Sequence, residues 1–304
     1  MTEAQSAAKP ALARSELAPA AVWYGTMPVF WTLLGVYAVA RVLTVFPDRF
    51  PMLAIIALHV VVPLVAALIH GSILYRVRGA LVFALLFLIV GNVFENLSVA
   101  TGFPFGHYSF TQVMGPKLLQ VPIMLGLAYL GIGYMSWTLA LVILGETRSR
   151  LHGSSVLTVP LAAGFIMVAW DFSTDAVWST LVHCWIWPKG GAFFGVPVSN
   201  FLGWYLTVYV FYQLFALYLG RQSLEPTPLP RSFWRMPILF YAVCATGNVL
   251  LAIPSRGGTV VSDPSGTQWR VSDITSASAL AAIFTMGAFA ATAWIRTEKN
   301  TIGN

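Results

Sequence analysis

Charged residues and cysteines are scarce in this chain. Only 9% of its 304 residues are charged, whereas 58% are hydrophobic. An average soluble domain carries about 25% charged residues, so the composition excludes an ordinary soluble fold and indicates an integral membrane protein. The two cysteines, Cys184 and Cys244, are too few for a disulfide framework and match no metal-ligand spacing. The sequence therefore predicts neither a disulfide scaffold nor a cysteine-bound metal.

Histidine is scarce as well, and its spacing excludes one class of membrane enzyme. Membrane di-iron hydroxylases and desaturases need many histidines at close helical spacing. The five histidines here are at least eleven residues apart: His59, His70, His107, His152 and His183. In addition, no glycine-rich nucleotide-binding motif follows a strand pattern. We therefore expect no metal and no other cofactor.

The basic residues carry information about topology. The formal net charge is +6, but Lys and Arg are scattered singly and form no patch that would bind nucleic acid. Eleven of the seventeen fall in the terminal tails and in alternate loops, and six fall on the opposite side. The positive-inside rule then predicts a protein of the cell membrane with both termini in the cytoplasm.

The apolar runs predict the fold. A helix that crosses a bilayer needs about 20 mostly apolar residues, and eight stretches qualify: 24–44, 52–74, 79–101, 119–144, 156–178, 201–219, 236–254 and 277–295. The predicted fold class is all-α, a polytopic membrane helix bundle with about eight transmembrane helices. Its single domain covers residues 23–296, between a disordered cytoplasmic tail at 1–22 and a cytoplasmic tail at 297–304.

Three carboxyl groups interrupt these apolar runs. Glu95 lies between two amides, Asn92 and Asn96, and Asp171 and Asp175 are spaced to share one helix face. All three fall at a similar depth near the outer end of the bundle. Each isolated carboxylate at membrane depth would cost at least about 2.5 kcal/mol. Each side chain alone is equally well explained as a cap or a hydrogen bond to a neighbouring helix, but three at one depth favour a functional site.

Two loops of similar composition follow these carboxyl groups. Residues 102–118 and 179–200 are rich in glycine and aromatic residues, and both are predicted on the outer side. The first contains His107 and Tyr108, and the second ends at Asn200. Many of the rings are explained by the aromatic belt at a membrane interface, but aromatic faces also stabilise cations. We therefore expect the two loops to meet over one cavity.

Four stretches of the chain resemble a known family. They are Glu-Asn-Leu-Ser-Val-Ala-Thr-Gly-Phe-Pro-Phe-Gly-His-Tyr at 95–108, Gly-Pro-Lys-Leu-Leu-Gln-Val-Pro at 115–122, Ala-Trp-Asp at 169–171 with Asp175, and Gly-Gly-Ala-Phe-Phe-Gly-Val-Pro-Val-Ser-Asn-Phe-Leu-Gly-Trp at 190–204. Together they resemble the carotenoid biosynthesis family, which includes bisanhydrobacterioruberin hydratases and gamma-carotene 1',2'-hydratases. The resemblance runs from about residue 80 to 220. The chain departs from the pattern at Ala176 and Ala192, positions that bear on substrate choice.

The resemblance implies a carotenoid hydratase of the hydro-lyase class. Such an enzyme adds water, without a cofactor, across the terminal double bond of an acyclic carotenoid and forms a tertiary alcohol. The implied partners are the membrane-dissolved carotenoid, the lipid bilayer and other carotenoid enzymes.

This chemistry assigns roles to the residues already singled out. Protonation of the alkene gives a tertiary cation, so the site needs a protonated acid, an aromatic wall and one positioned water. We expect Glu95, Asp171 and Asp175 to supply the proton and hold the water, with Glu95 as the preferred acid. The residues expected to position the substrate or the water are Asn92, Asn96, Phe105, His107, Tyr108, Trp170, Phe194, Asn200 and Trp204.

Three other functions fit the same sequence. A carotenoid end-group cyclase would use the same protonation in a drier pocket. An intramembrane prenyltransferase or elongase would need two aspartate clusters to hold magnesium diphosphate, whereas the chain has one such Asp pair. A non-catalytic lipid or carotenoid transporter would place its polar groups along a path through the bilayer rather than near one end.

Overall fold

The architecture comes from a computed structural model that describes residues 3–46, 49–147, 150–222, 229–253 and 258–299. Helices dominate these residues, which confirms the predicted all-α class. They are α1 (Glu3–Leu43), α2 (Met52–Thr101), α3 (Ile123–Leu144), α4 (Ser155–Ala176), α5 (Val198–Gly220), α6 (Arg231–Leu250), α7 (Val271–Ala281) and α8 (Ala288–Lys299). A π-helical turn, Val177–Leu181, extends α4, and another, Ala282–Gly287, joins α7 and α8 into one helix. Counted in this way, the described residues hold seven helices, and one of them, α2, is interrupted at Arg76.

Six very short strands pair in the loops. They form three antiparallel pairs: β1 (Ser109–Phe110) with β4 (Trp185–Ile186), β2 (Lys117–Leu118) with β3 (Val121–Pro122), and β5 (Val260–Ser262) with β6 (Gln268–Arg270). The β2–β3 pair explains why α3 begins at Ile123 rather than near residue 119. The β5–β6 hairpin lies in the predicted loop between the last two spans, but α7 begins at Val271, six residues before the predicted start of the last span at 277.

Six helices are long and apolar enough to cross a membrane: Pro19–Leu43, Met52–Thr101, Ile123–Leu144, Ser155–Leu181, Val198–Gly220 and Val271–Lys299. A helix of 22 residues extends about 33 Å, which matches a hydrocarbon core of about 30 Å. The structure therefore does not show the eight membrane crossings that the sequence predicts. The predicted span at 236–254 corresponds to α6, which is less apolar because it carries Arg231, Arg235 and Asn248.

The predicted spans at 52–74 and 79–101 both lie within α2. Its 50 residues would extend about 75 Å if straight, but the backbone leaves the helical conformation at Arg76 (φ 59°, ψ 166°). A Cβ atom on Gly71 would lie 3.5 Å from the Cβ of Ala80, residues that a straight helix would hold about 13 Å apart. The chain therefore folds back at Arg76, and the two halves of α2 lie side by side.

The N-terminal segment differs from the irregular tail that the sequence predicts. The backbone of α1 is helical from Glu3, and the candidate span within α1 begins at Pro19. This segment is rich in alanine, the residue with the highest helix propensity. The far ends of the two predicted tails, residues 1–2 and 300–304, lie outside the described residues, and the predicted orientation of the termini stays a prediction.

Helix α3 occupies the centre of the bundle, and 78% of the residues in its apolar 18-residue stretch are buried. Trp137 donates its indole N–H to the Tyr75 hydroxyl, and Tyr212 donates to the backbone oxygen of Gly133. Hydrogen bonds of this kind join helices where packing alone gives little preference for protein over lipid. The surrounding helices are thereby held in a fixed arrangement around α3.

The two glycine- and aromatic-rich loops meet, as predicted. Strands β1 and β4 pair Ser109 with Ile186 and Phe110 with Trp185, and the Thr111 hydroxyl donates to the backbone oxygen of His183 at 2.7 Å. Because β1 belongs to the first loop and β4 to the second, this pairing closes one shared cover over the ends of α2 and α4.

Candidate active site

Glu95 lies on the buried face of α2, close to its C-terminal end. The helix ends in a left-handed Gly102 (φ 83°), whose N–H donates to the Ser98 oxygen at 2.8 Å. Seven residues of helix place Glu95 about 10 Å below that end. Only 2% of Glu95 is exposed.

Two tyrosines from different elements bind the Glu95 carboxyl group. Tyr108 in the first loop donates to Oε2, and Tyr129 on α3 donates to Oε1 at 3.1 Å. The loop is held in place by Ser98, whose hydroxyl accepts from the Phe105 N–H at 3.1 Å. Gly203 lets α5 approach this loop, since a Cβ there would lie 2.7 Å from the Pro104 oxygen.

The two aspartates lie one helical turn apart on α4 and share an amide donor. Asn200, in the first turn of α5, donates its Nδ2 to Oδ2 of Asp171 at 3.3 Å and to Oδ2 of Asp175. Oδ1 of Asp175 accepts from the indole N–H of Trp185 at 3.0 Å. Asp171, Asp175 and Asn200 are all buried. The i, i+4 spacing thus puts both aspartates at the α4–α5 contact, as the sequence predicts.

A small cavity, which we call the polar cavity, lies between these groups and the loops. It measures about 10 Å³ and is lined by Glu95, Asp175, Asn200 and seven aromatic residues: Phe105, Tyr108, Phe110, Tyr129, Trp185, Trp187 and Trp204. About 10–15 Å³ is the volume that one water needs. No described residue accepts a hydrogen bond from the Trp187 indole N–H, although Trp187 is only 4% exposed. The cavity therefore has the size for one water.

A larger cavity, the apolar cavity, lies on the other side of Tyr129 and Trp185. It measures about 70 Å³, is lined mainly by apolar and aromatic side chains, and has Asp171 as the single carboxyl group among the described residues that line it. It adjoins a wide cavity of about 360 Å³, and Arg41 and Trp178 line both. Tyr129 and Trp185 line the polar and the apolar cavity alike. The apolar and the polar cavity therefore adjoin, with Tyr129 and Trp185 in the wall between them.

The rings around Glu95 form a continuous wall. Trp204 stacks on Phe105 with ring centroids 5.3 Å apart and meets Tyr129 at 4.2 Å. Tyr129 also contacts Trp170 edge-on at 6.3 Å, and Tyr108 lies 4.7 Å from Trp187. The negative faces of such rings stabilise nearby cations. The site can therefore tolerate positive charge on a bound hydrocarbon.

Among the residues that the structure describes, no basic side chain forms an ion pair with any of the three acids. The ion pairs found within the described ranges join Arg231 and Arg235 to Glu298, at the far end of α6. Those ranges also hold no group of three or more His, Cys, Asp or Glu residues arranged to bind a metal. Because an unpaired buried charge is costly, a proton on a carboxyl group is stabilised here. The arrangement suits the storage and transfer of a proton.

The structure brings most of the predicted site residues together, but it places four elsewhere. Asn96 donates to the Asn92 side chain at 3.0 Å and accepts from the Gln120 backbone at 3.1 Å, so this amide pair supports the β2–β3 loop. His107 is exposed. Phe194 packs 5.3 Å from Trp269, away from the carboxyl groups. Amides one turn apart on a helix bind each other readily. The sequence pattern around Glu95 does not distinguish such a pair from amides that belong to a site.

Sequence reasoning missed three residues that border the acids. Tyr129 lies in the apolar run of α3. A hydroxyl in a spanning helix needs a hydrogen-bond partner, and this requirement is a signal in the sequence that could have singled out Tyr129. Trp185 and Trp187 were attributed to the aromatic belt of the membrane interface. Only the loop pairing shows that both turn inward.

A comparison with protein families decides the identity of the chain. The model of the family described as "Carotenoid biosynthesis protein" matches residues 49–256, which is more than half of the 304 residues. The chain belongs to the carotenoid biosynthesis protein family. This confirms the resemblance drawn from the sequence motifs. The matched region of this family member contains Glu95, Asp171, Asp175 and Asn200.

One relative of known name is similar over part of this carotenoid biosynthesis protein. It is the bisanhydrobacterioruberin hydratase of Haloarcula japonica, which is 29% identical over 132 residues. That stretch covers 43% of the present chain and 43% of the relative, so less than half of either protein is compared. No solved structure matches the chain.

Proposed function

We propose that this carotenoid biosynthesis protein is a hydratase that adds water across the terminal double bond of an acyclic carotenoid. The observation that carries the proposal is the contact between two unlike cavities, a water-sized polar one and an apolar one, with a carboxyl group in the wall of each. The partial similarity to a bisanhydrobacterioruberin hydratase supports the same reaction class.

In this proposal Asp171 donates the proton. Its carboxyl group lines the apolar cavity, and its one hydrogen bond from a described residue is the 3.3 Å contact from Asn200. Both oxygens of Glu95, in contrast, already accept from tyrosines. A carboxyl O–H that faces an apolar cavity is free to protonate carbon. Asp171 therefore replaces Glu95 as the preferred acid.

The water is added from the polar cavity. The alkene π electrons take the proton of Asp171, leaving its carboxylate and a tertiary cation beside the rings of Tyr129 and Trp204. A water held near Asp175 donates an oxygen lone pair to the cation, and a carboxylate of the cluster takes the released proton. One water is consumed, and the proton count of the cluster is restored.

The proposal is tested in cells that accumulate an acyclic carotenoid. Expression of the chain should yield a pigment heavier by one water, and growth in ¹⁸O-labelled water should place the label in its hydroxyl group. A cyclic product of unchanged mass would indicate the cyclase instead. A product heavier by an isoprene unit, with a requirement for magnesium, would indicate the prenyltransferase.

A further inference from the structure

The structure contains a second water-sized cavity, which we call the loop cavity. It measures about 10 Å³ and lies between the second outer loop and the β5–β6 hairpin, lined in part by Ser179, Thr180, His183 and Asp263. Two of its residues, Trp185 and Trp187, also line the polar cavity. The two indoles therefore form the partition between the loop cavity and the carboxyl groups.

One end of the loop cavity reaches the protein surface. His183, at a left-handed backbone position (φ 58°), is exposed, and so is Pro264 in the hairpin. Asp263 and Thr180 are buried. The cavity thus runs from exposed loop residues down to the half-buried Trp185 and the buried Trp187.

Polar groups along the loop cavity provide the partners that a water needs. The hydroxyls of Ser179 and Thr180 each donate to a backbone oxygen, at 2.8 Å to Asp175 and at 2.6 Å to Phe194, so their lone pairs remain available as acceptors. The buried Trp187 N–H has no acceptor among the described residues. A buried water makes two to four hydrogen bonds, typically about three. This set of donor and acceptors fits one.

We propose that the loop cavity binds water and delivers it past Trp185 and Trp187 to the polar cavity. This inference rests on the proposed hydratase function, because it gives that reaction a water entrance separate from the carotenoid entrance. The carotenoid end would arrive through the wide and apolar cavities, and the water would arrive through the outer loops. The cation would then meet water from one side only.

The indole partition is coupled to the acids on both sides. Trp185 donates to Asp175 at 3.0 Å, and Trp187 packs 4.7 Å from Tyr108, which binds Glu95. A shift of Trp185 that admits water therefore also changes its hydrogen bond to Asp175. A shift of Trp187 changes the packing of Tyr108, which binds Glu95.

The test closes the mouth of the loop cavity with a reversible plug. His183→Cys places a thiol at the exposed edge, and trimethylammonioethyl methanethiosulfonate then adds bulk there on the detergent-solubilised full chain. The matched control is Gln112→Cys, an exposed position in the first outer loop that lines none of the four cavities. The native thiol of Cys184 interferes little, because burial raises its pKa to about 12.

We expect the modified His183→Cys protein to lose hydration by about tenfold or more, and dithiothreitol to restore it. The modified Gln112→Cys protein should keep its activity. Full hydration by the plugged His183→Cys protein would overturn the water route while leaving the hydratase function intact.

A second measurement reports water directly, without activity. Hydroxyl-radical footprinting should oxidise Trp187 severalfold faster than Trp137, a fully buried tryptophan whose N–H is bound to Tyr75, and the plug at residue 183 should slow Trp187 oxidation. Equal protection of the two tryptophans would overturn the route. Labelled Trp187 in a chain that forms no hydrated product would instead support the route as a water path and refute the hydratase function.

Discussion

The two sides of the site differ in size, polarity and the elements that build them. The polar cavity has room for about one water and is closed by loop residues, whereas the apolar cavity is about seven times larger and is lined mostly by residues of helices α1, α2, α3, α4 and α6. Asp175 lines the first and Asp171 the second, although the two residues are one helical turn apart. In the proposed function the two acids have different roles: helix α4 presents Asp171 to the hydrocarbon and Asp175 to the water.

The largest expected effect comes from removing the acid on the apolar side. Asp171→Asn keeps the shape and removes the transferable proton, so hydration should fall by about a hundredfold or more, the usual scale for a general acid. Pigment analysis in carotenoid-accumulating cells measures the loss of hydrated product. Asp273→Asn, the same change at an exposed position at the start of α7, is the matched control and should stay active.

The same experiment distinguishes the three acids. Glu95→Gln and Asp175→Asn should also lower hydration, but less than Asp171→Asn, because we assign them to the water side. A greater loss from Glu95→Gln would return the acid role to Glu95. Near-normal hydration by all three inserted variants would mean that the carboxyl groups are structural.

A smaller effect should follow from filling the apolar cavity. Ala128 lines this cavity but not the polar one, so Ala128→Phe should raise the apparent KM for the carotenoid on the order of tenfold, as a pocket that loses room for a few carbon atoms does. Trp187 footprinting should be unchanged. Ala100→Phe, on an exposed face of α2, is the control. An unchanged KM would mean that the carotenoid end binds elsewhere.

The smallest effect concerns the hairpin over the loop cavity. Burial acts to raise the pKa of Asp263, but hydrogen bonds from Ser265, Trp269 and the backbone of Thr267 outweigh it and hold the pKa below its ordinary value. A lowered pKa means that Asp263 stabilises the fold above the unfolded pKa of about 3.9 and that this stabilisation is lost as the pH falls through the folded pKa.

Asp263→Asn should therefore lower the melting temperature modestly at pH 7 and by less at pH 3, below the unfolded pKa. Thermal unfolding in detergent at both pH values measures the difference. An equal loss at both would show that packing rather than charge matters at this position.

Prediction from sequence succeeded where one physical rule dominates. The cost of a carboxyl group at membrane depth singled out Glu95, Asp171 and Asp175, and helical spacing placed both aspartates on one face. It failed for Asn92 and Asn96, which bind each other and a loop rather than the acids. Asn96 follows Glu95 directly and is turned away from it by about 100° on the helix, and Asn92, one turn before Asn96, binds the Asn96 amide instead of the acid.

The sequence motifs pointed to the carotenoid biosynthesis family, and composition and pattern by themselves determined that this is a helical membrane protein with acids near one end. The bilayer imposes those features on the chain locally, residue by residue. The tertiary structure alone decided that Tyr129, Trp185 and Trp187 border the acids, that the chain folds back at Arg76, and that Asp171 and Asp175 face different cavities. Such facts depend on how distant segments pack: helical spacing fixes the face on which a side chain lies, but the segments packed against that face decide which cavity it borders.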